Sequence, residues 1–444
     1  MTSIQEQARP SPVFLGWRAH VCVAVIALIA QSIGTTTLQA FGLKMSILPM
    51  VWALCLALML TLIASRGVAE FALDRPAKAL SPAFGQIVLL GFITKLGLMI
   101  GPQLPAIKSM GWALAFQEFG HFFGTIVFAL PLALFLGIKR EAIGATFSVG
   151  REPNIAIIAD RYGLDSPEGR GIIGEYLTGS TIGAPFMALF ASIIVSLGFF
   201  DPIALAMGAG VGSASMLAAI TASINSGLDK ATADKVMAVA AAANLITTVL
   251  GTYFTLFISL PVAIWLYGKL EPIIGRNIEG VSNPVASGDA PVFTFNHNPF
   301  ISFSGKVVAL IISGAMILLI GNWLGYGVQP EVAIAGFLVI AGITLIADRA
   351  VAVLPFKLPA ICIASLIGMV ATAPFHPYSA QIAAWTAQIH PLAFATPALA
   401  YVGLAVADEL GALKRLSWRI VVVSLTAAVG SFLGATLIAH LFEH

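Results

Sequence analysis

Charged residues are scarce in this sequence. They make up 10% of its 444 residues, whereas a soluble domain contains about 25%. So few charges are too few to cover a surface exposed to water, and hydrophobic residues make up 58% of the chain. The composition excludes an ordinary soluble domain and indicates a protein whose solvent is lipid.

Cysteine and an excess of one charge are also lacking. Cys22, Cys55 and Cys362 lie in apolar runs, and their spacing fits neither a metal site nor a disulfide framework. We interpret all three as buried small hydrophobic residues. The formal net charge is +2, which leaves no footprint of nucleic-acid binding. We therefore expect no cofactor, no metal ion and no nucleic-acid partner.

Long apolar runs recur throughout the chain. A transmembrane helix needs about 20 apolar residues, and we expect about 11 to 13 spans. The unbroken candidates are Arg18–Ile33, Met45–Ala64, Ala83–Ile100, Trp112–Gly137, Ile172–Phe199, Met237–Tyr267, Val307–Leu324, Val332–Ala350, Leu358–Ala373, Pro391–Ala407 and Trp418–Leu441. Two further segments, Ala142–Tyr162 and Pro202–Ile224, are apolar but broken by glycine, proline and polar residues. The sequence thus predicts an all-α, polytopic transmembrane helical bundle with two discontinuous helices.

One long polar stretch divides the chain. Residues 271–304 are rich in turn-forming residues and lack periodicity, as a surface loop does. We predict an N-terminal membrane bundle over residues 1–270 and a C-terminal membrane bundle over residues 305–444. No clear cleavage site follows the first apolar run, so we interpret it as a signal anchor. The Lys and Arg residues around the first four spans lie on one side of the membrane if the N-terminus is cytoplasmic. We therefore predict a multi-pass protein of the inner (plasma) membrane with its N-terminus in the cytoplasm.

The first broken segment combines charge with a helix-starting proline. Backbone at membrane depth must be hydrogen-bonded internally, so a break is tolerated only within protein or beside a wet cavity. Many secondary transporters bind anionic substrates at such half-helix N-termini. Pro153 suits the first turn of a new half-helix, Arg151 suits a substrate carboxylate or Glu152, and Asn154 offers a donor and an acceptor. The alternative is a plain cytoplasmic loop between two spans.

The second broken segment contains alternating glycines followed by serines. Gly208, Gly210 and Gly212 let a backbone approach a ligand closely, and Ser213 and Ser215 supply hydroxyl groups. The alternative is a small-residue face for helix packing, but glycines two residues apart do not form one helix face. We predict that Gly210, Gly212, Ser213 and Ser215 bind substrate together with the residues of the first break.

Ionisable residues inside apolar spans are costly and indicate function. Glu118 and His121 lie three residues apart, on one helix face, and Glu175 lies near the start of its span. We predict that these three couple transport to an ion. Lys95 is also intramembrane, and an ion pair of Lys95 with Glu118 or Glu175 is the simpler interpretation.

Three further polar residues receive structural interpretations. Asp408 and Glu409 close a span and are expected at the membrane interface. Asn244 lies in an alanine-rich run, and we expect it to form a hydrogen bond between helices; the alternative is that it faces the substrate pocket.

Short motifs in the centre of the chain resemble the LrgB/CidB family, whose plant relative is the plastidic glycolate/glycerate transporter. The matching pieces are Arg151–Ala156, Thr178–Pro185 and Gly208–Ser215, within residues 83–262. Arg-Glu stands where that family has Lys-Ser-Val-Thr-Thr, and Ser213 or Ser215 stands where it has histidine. Residues 311–441 resemble the partner LrgA/CidA piece more faintly, through Ala395–Gly403.

Two other resemblances concern a shorter and a longer part of the chain. The Gly-Ser-Ala-Ser-Met run is similar to one in bacterial amino-acid carriers of the glutamate-symporter and lysine-exporter type. The whole chain is most similar to a bacterial membrane family known as domain of unknown function 3100. The LrgB/CidB resemblance implies transport of small carboxylates, inverted repeats, and two helical bundles that move against each other.

These observations predict a secondary active transporter of a small organic solute, a carboxylate or an amino acid. The expected partners are that substrate, a coupling proton or sodium ion and the lipid bilayer, with a homodimer left open. The chain lacks His-Glu-x-x-His and Gly-x-Ser-x-Gly motifs, so we expect no enzyme. The alternative is a holin-like or regulatory membrane protein without a transport cycle; a passive channel is a further option.

Overall fold

The computed structural model describes residues 16–40, 43–65, 74–149, 152–164, 166–276, 303–353, 359–415 and 417–443. This part of the chain is almost entirely helical. The helices are α1 (Trp17–Ile33), α2 (Pro49–Ser65), α3 (Arg75–Ser109), α4 (Gly111–Phe135), α5 (Glu141–Thr146), α6 (Glu152–Tyr162), α7 (Pro167–Thr178), α8 (Ala184–Leu197), α9 (Pro202–Gly210), α10 (Ala214–Asn225), α11 (Lys230–Phe254), α12 (Leu260–Ile274), α13 (Phe303–Met316), α14 (Pro330–Val353), α15 (Ala360–Thr372), α16 (Ser379–Ala387), α17 (Ala395–Arg415) and α18 (Trp418–Glu443).

Several helices continue into wider or tighter turns. A π turn at Gly179–Gly183 joins α7 to α8, a second at Thr255–Ser259 joins α11 to α12, and Ile317–Leu324 extends α13. A 3-10 turn, Pro391–Ala393, precedes α17. Such π turns are rare and occur frequently at functional sites.

The helices have the length and composition of a membrane protein. Among the described residues, eight are long and apolar enough to cross a bilayer, and five shorter apolar helices accompany them. The eight are Ala79–Ser109, Gly111–Phe135, Pro167–Leu197, Lys230–Gly251, Thr255–Ile274, Phe303–Leu324, Pro330–Val351 and Trp418–Phe442. This confirms the prediction of an all-α, polytopic, multi-pass membrane protein.

A small antiparallel hairpin interrupts the helices near the N-terminus. Strand β1 (Thr36–Ala40) pairs with β2 (Leu43–Ile47), with Thr36 opposite Ile47. The prediction that a span begins at Met45 was therefore wrong, because α2 begins only at Pro49, where the fixed φ of proline suits a helix start.

Helices from both ends of the chain share one core. Buried residues of α1, α3, α9 to α11, α14 and α17 form a single apolar cluster, and α18 packs along α4. Residues 277–302, most of the predicted polar loop, lie outside the described residues, while α12 already includes 271–274. The division into bundles at residues 270 and 305 stays a prediction.

The three cysteines differ in exposure. Cys362 is buried and Cys22 is half-buried, but Cys55 is exposed on the apolar helix α2. The prediction of three buried cysteines was wrong for Cys55, because a lipid-facing position accepts a small apolar side chain as readily as a core does.

Helices α4 and α18 approach each other through glycines on both sides. Gly120 and Gly124 face Gly430 and Gly434, and a Cβ at Gly120 would overlap with the carbonyl oxygen of Gly434. Small residues four apart on each helix allow this close packing in a membrane. The contact fixes the position of the α4 side chains that lie beside it.

We expect Gly120→Val to lower the free energy of unfolding by about 3 kcal/mol or more, because the backbones must separate. The measurement is thermal unfolding of the detergent-purified protein. Gly268→Val is the control, since Gly268 lies within α12 with no atom within 4 Å of an added Cβ. Equal stability of the two variants would contradict the proposed role of the glycine contact.

Candidate functional site

The second predicted break is present between α9 and α10. Asp201 begins α9, with its Oδ1 atom accepting a hydrogen bond from the backbone N–H of Ile203 at 2.7 Å. Helix α9 ends at Gly210, and Ser213 begins α10, with its Oγ atom 3.4 Å from the backbone N of Met216 and 3.2 Å from Ser215 Oγ. The helical conformation is thus interrupted over residues 211–213, within a mostly buried segment.

A buried asparagine from a neighbouring helix holds this break. Asn244 of α11 donates from Nδ2 to the carbonyl oxygens of Gly210, at 2.8 Å, and Gly212, at 3.2 Å. Carbonyls freed by the break thereby regain donors without water. The prediction that Asn244 forms a hydrogen bond between helices is confirmed.

The glycines of this segment have different surroundings. A Cβ on Gly208 would overlap with Thr436, and one on Gly210 would overlap with Ala243. Gly212 is closest to the side chain of Met216. Gly208 and Gly210 therefore permit close helix packing, as the alternative interpretation had it, while Gly212 lies in the break itself. Substrate binding by Gly210, Gly212, Ser213 and Ser215 stays a prediction.

The π turn Gly179–Gly183 lies against this break. A Cβ on Gly179 would lie 3.4 Å from Met216 Cε and 3.8 Å from Glu175 Oε1. Glu175 is 1% exposed, so its carboxylate is buried close to the first turn of α10. The structure thus brings predicted substrate and coupling residues, Ser213 and Glu175, to the same part of the molecule.

The other two predicted coupling residues lie on α4. Thr247 of α11 donates a hydrogen bond to Glu118 Oε1, and a further hydrogen bond links His121 Nδ1 to Ser431 Oγ. Glu118 is 0% and His121 2% exposed. Asn244 and Thr247 are three residues apart, so one turn of α11 contacts both the break and the Glu118 carboxylate.

Sequence reasoning missed Gln117, the neighbour of Glu118. Its side chain is fully buried, and neither its Oε1 nor its Nε2 atom has a hydrogen-bond partner among the described residues. Buried amides without a partner are rare in native proteins. Its position inside an apolar span was the available signal.

The first predicted break separates α5 from α6. Gly150 and Arg151 lie outside the described residues, as do the side chains of Glu152 and Pro153. Asn154 is 4% exposed in the first turns of α6.

The residues directly after α5, at the start of this break, include two buried polar groups. The hydroxyl of Ser259, in the second π turn, donates to the carbonyl of Phe147. The Oγ of Ser148 is buried without a hydrogen-bond partner in the described part of the chain.

Ion pairs connect α5, the helix before this first break, to neighbouring helices. Arg140 donates to Glu168 at 2.7 Å, and Arg170 donates to Glu141 at 2.8 Å. The two pairs connect the start of α5 to the start of α7. Lys139 pairs with Glu271 of α12 at 2.6 Å.

A third break, which the sequence did not predict, precedes α17. Asn322, 0% exposed, donates from Nδ2 to the carbonyl of Gln388 at 2.9 Å and accepts from the backbone N–H of His390 at 2.9 Å. The His390 ring stacks on Tyr326 with ring centroids 3.6 Å apart. The signals were Pro391 directly after His390 and Asn322 within an apolar span.

The surroundings of this third break lower the pKa of His390. Burial and the positive charges of Lys95 and Lys230 lower the pKa of His390 to about 4. The imidazole is therefore neutral at pH 7. Because its Nδ1 atom accepts from the backbone N–H of Leu392 at 3.3 Å, Nε2 carries the proton.

Lys95 lies beside the same break. Its Nζ atom donates to the carbonyl of Thr386, in the last turn of α16, at 2.8 Å. The prediction of an ion pair with Glu118 or Glu175 was wrong, because α3 places Lys95 against α16 and near Asp234 instead.

Two other residue sets bear on the predicted chemistry. The side chains of Asp408 and Glu409 lie outside the described part of the structure. Among the described residues, no group of three or more His, Cys, Asp or Glu side chains has an arrangement that could hold a metal ion.

Comparison with known proteins yields a family. No curated protein and no solved structure matches the chain. The model of the family described as Protein of unknown function (DUF3100) matches residues 28–269. That range covers more than half of the chain and includes the breaks at α5–α6 and α9–α10, Asn244 and all three predicted coupling residues. The chain therefore belongs to the DUF3100 family.

Proposed function

We propose that this protein is a secondary active transporter, working by symport, of a small organic solute, a carboxylate or an amino acid, in a bacterial inner (plasma) membrane. The observation that carries the proposal is the contact of one turn of α11 with two features. Asn244 holds the α9–α10 break, and Thr247 holds the buried carboxylate of Glu118.

The α9–α10 break supports binding of an anion. The first N–H groups of a helix have no partner within that helix, and the helix dipole makes this end positive. Ser213 satisfies one of these groups in α10. The remaining N–H groups and the hydroxyl groups of Ser213 and Ser215 suit a carboxylate, as the resemblance to the LrgB/CidB family implies.

The buried acidic residues support coupling to an ion. An ionised carboxylate is costly to bury unless a cation or a proton accompanies it. Glu118 on α4 accepts a hydrogen bond from Thr247 of α11, the helix that also binds the break. Glu175 on α7 lies one turn before Gly179, which is close to Met216 of α10. A proton or a sodium ion that neutralises either carboxylate would therefore change the packing next to the bound solute.

The two asparagine-held breaks support a core of two related halves. Asn244 binds the carbonyls of Gly210 and Gly212, and Asn322 binds the backbone of Gln388 and His390. One break lies before the undescribed residues 277–302 and one lies after them. Inverted repeats in transporters place discontinuous helices in corresponding positions of this kind.

We expect small carboxylates to raise the unfolding temperature of the purified protein, because a ligand that binds only the folded state stabilises it by mass action. The panel contains glycolate, glycerate, succinate, glutamate and alanine, each with and without sodium at two pH values. Betaine is the control for a non-specific solute effect. Hits are then tested as radiolabelled substrates for uptake into proteoliposomes.

A panel without a single shift, on protein that elutes as a folded species, would contradict the proposal. It would favour a holin-like or regulatory protein. A shift without ion-dependent uptake would contradict ion coupling while leaving solute binding in place.

A further inference from the structure

Lys95 occupies an unusual place for a charged side chain. It lies near the middle of the span Ala79–Ser109 and is 4% exposed. Helix α3, which carries Lys95, packs against α11, α15, α16 and α17. A charged group at such a position is rare and generally faces a functional cavity or a partner.

The ammonium group of Lys95 has fewer partners than it has donors. It carries three N–H donors, and the Thr386 carbonyl accepts one of them. Among the described residues, Lys95 has no second hydrogen bond and no carboxylate within 4.0 Å. The Thr386 carbonyl is at the C-terminal end of α16, whose dipole favours a cation. One carbonyl accepts one hydrogen bond, so two N–H groups of Lys95 have no acceptor among the described residues.

The nearby charges leave a net positive site. Asp234 and Lys230 of α11 are the charged side chains that act on Lys95. Their charges are of opposite sign, with Asp234 acting on Lys95 more strongly than Lys230 does, and His390 is neutral at pH 7 for the reasons given above. Lys95, Asp234 and Lys230 together carry one excess positive charge, and Lys95 lies beside the helix break whose backbone Asn322 binds.

We propose that Lys95 binds the carboxylate of the transported solute at the α16–α17 break. The inference rests on the proposed transport function and adds a second anion site, separate from the one proposed at the α9–α10 break. One carboxylate would supply acceptors for the two remaining N–H groups and would neutralise the local charge. The Nε2–H group of His390 is a neutral donor at the same break.

A purely structural role for Lys95 predicts different behaviour. In that case Lys95 only caps α16 through Thr386, and any side chain with a donor at this position suffices. Lys95→Gln keeps a donor for the Thr386 carbonyl and removes the charge, whereas Lys95→Arg keeps the charge. Lys108→Gln is the control, since Lys108 is an exposed lysine at the end of the same helix.

The experiment is calorimetric titration of the full-length protein and its variants with glycolate, succinate and glutamate. We expect Lys95→Gln to weaken binding of the carboxylate by about 10- to 100-fold. Lys95→Arg should weaken it by less than about tenfold, and Lys108→Gln should bind like the wild type. A second arm needs no variant: the uncharged amide, such as glycolamide, should bind the wild-type protein at least about tenfold more weakly than the acid.

The outcomes separate the two proposals. If no acid binds the wild-type protein, the transport proposal fails and the role of Lys95 fails with it. If an acid binds but Lys95→Gln or the amide binds equally well, only the role of Lys95 is overturned. If chloride binds at this lysine and no carboxylate does, the site is one for an inorganic anion and the inference is also overturned.

Discussion

Asn244→Leu is expected to stop solute uptake and to lower the free energy of unfolding by about 2 to 5 kcal/mol. Leucine has a similar volume but donates no hydrogen bond. The carbonyls of Gly210 and Gly212, in a buried segment, would then lose the donor that Asn244 supplies to both. Uptake is measured in proteoliposomes per amount of folded protein, and stability by thermal unfolding.

Two variants sharpen this test of Asn244. Thr221→Val removes a buried hydroxyl whose partners in the described part of the chain are the carbonyls of Leu217 and Ala218 within its own helix α10. It should therefore cost about 1 kcal/mol and leave uptake intact. Asn244→Asp keeps the side-chain shape and replaces the donor by a carboxylate that the two carbonyls repel. Wild-type uptake by Asn244→Asp would show that the donor does not hold the break.

The second large effect is expected for Glu118→Gln. Glutamine keeps an oxygen that accepts from Thr247 and removes the carboxylate charge. We expect solute accumulation driven by an ion gradient to fall at least about tenfold, because the coupling between ion and solute is lost. Binding of the solute itself should persist, since Glu118 contacts α11 rather than the break.

Proton and sodium gradients are imposed separately in this experiment, so that the result identifies the ion. Glu331→Gln serves as the control, because Glu331 is an exposed residue in the first turn of α14. Accumulation by Glu118→Gln that equals the wild type under both gradients would remove Glu118 from the coupling mechanism. Glu175 would then be the remaining carboxylate beside the break.

The membrane class and the position of one helix break were predictable because they follow from local composition. Apolar length predicts spans, and the run from Gly208 to Ser215 contains too many glycines and serines for an uninterrupted helix. The start of α2 was less predictable, since apolar residues occur in both a short hairpin and a span. Tertiary pairing of β1 with β2 decided between them.

The partners of the buried polar residues were not predictable from sequence order. Lys95 meets Thr386 and Asn322 meets His390 across large sequence separations, and only helix packing decides which faces touch. The break before α17 has a weaker local signal than the α9–α10 break, because a polar residue before a proline, here His390 before Pro391, also occurs at ordinary loop ends. An asparagine inside an apolar span is the more specific signal at both breaks, since a polar amide at that depth must have a partner.

The uninterrupted course of α11 and α12 has a mechanical consequence. With the π turn Thr255–Ser259 included, helix runs from Lys230 to Ile274, which is about 67 Å at 1.5 Å per residue. The hydrocarbon layer is about 30 Å thick, so this rod must tilt strongly, extend beyond the layer or bend at the π turn. The rod holds the α9–α10 break at Asn244 and the ion pair with Lys139 at Glu271. A helix of this length that moved as one body would turn a small rotation at the buried break into a larger displacement at its far end.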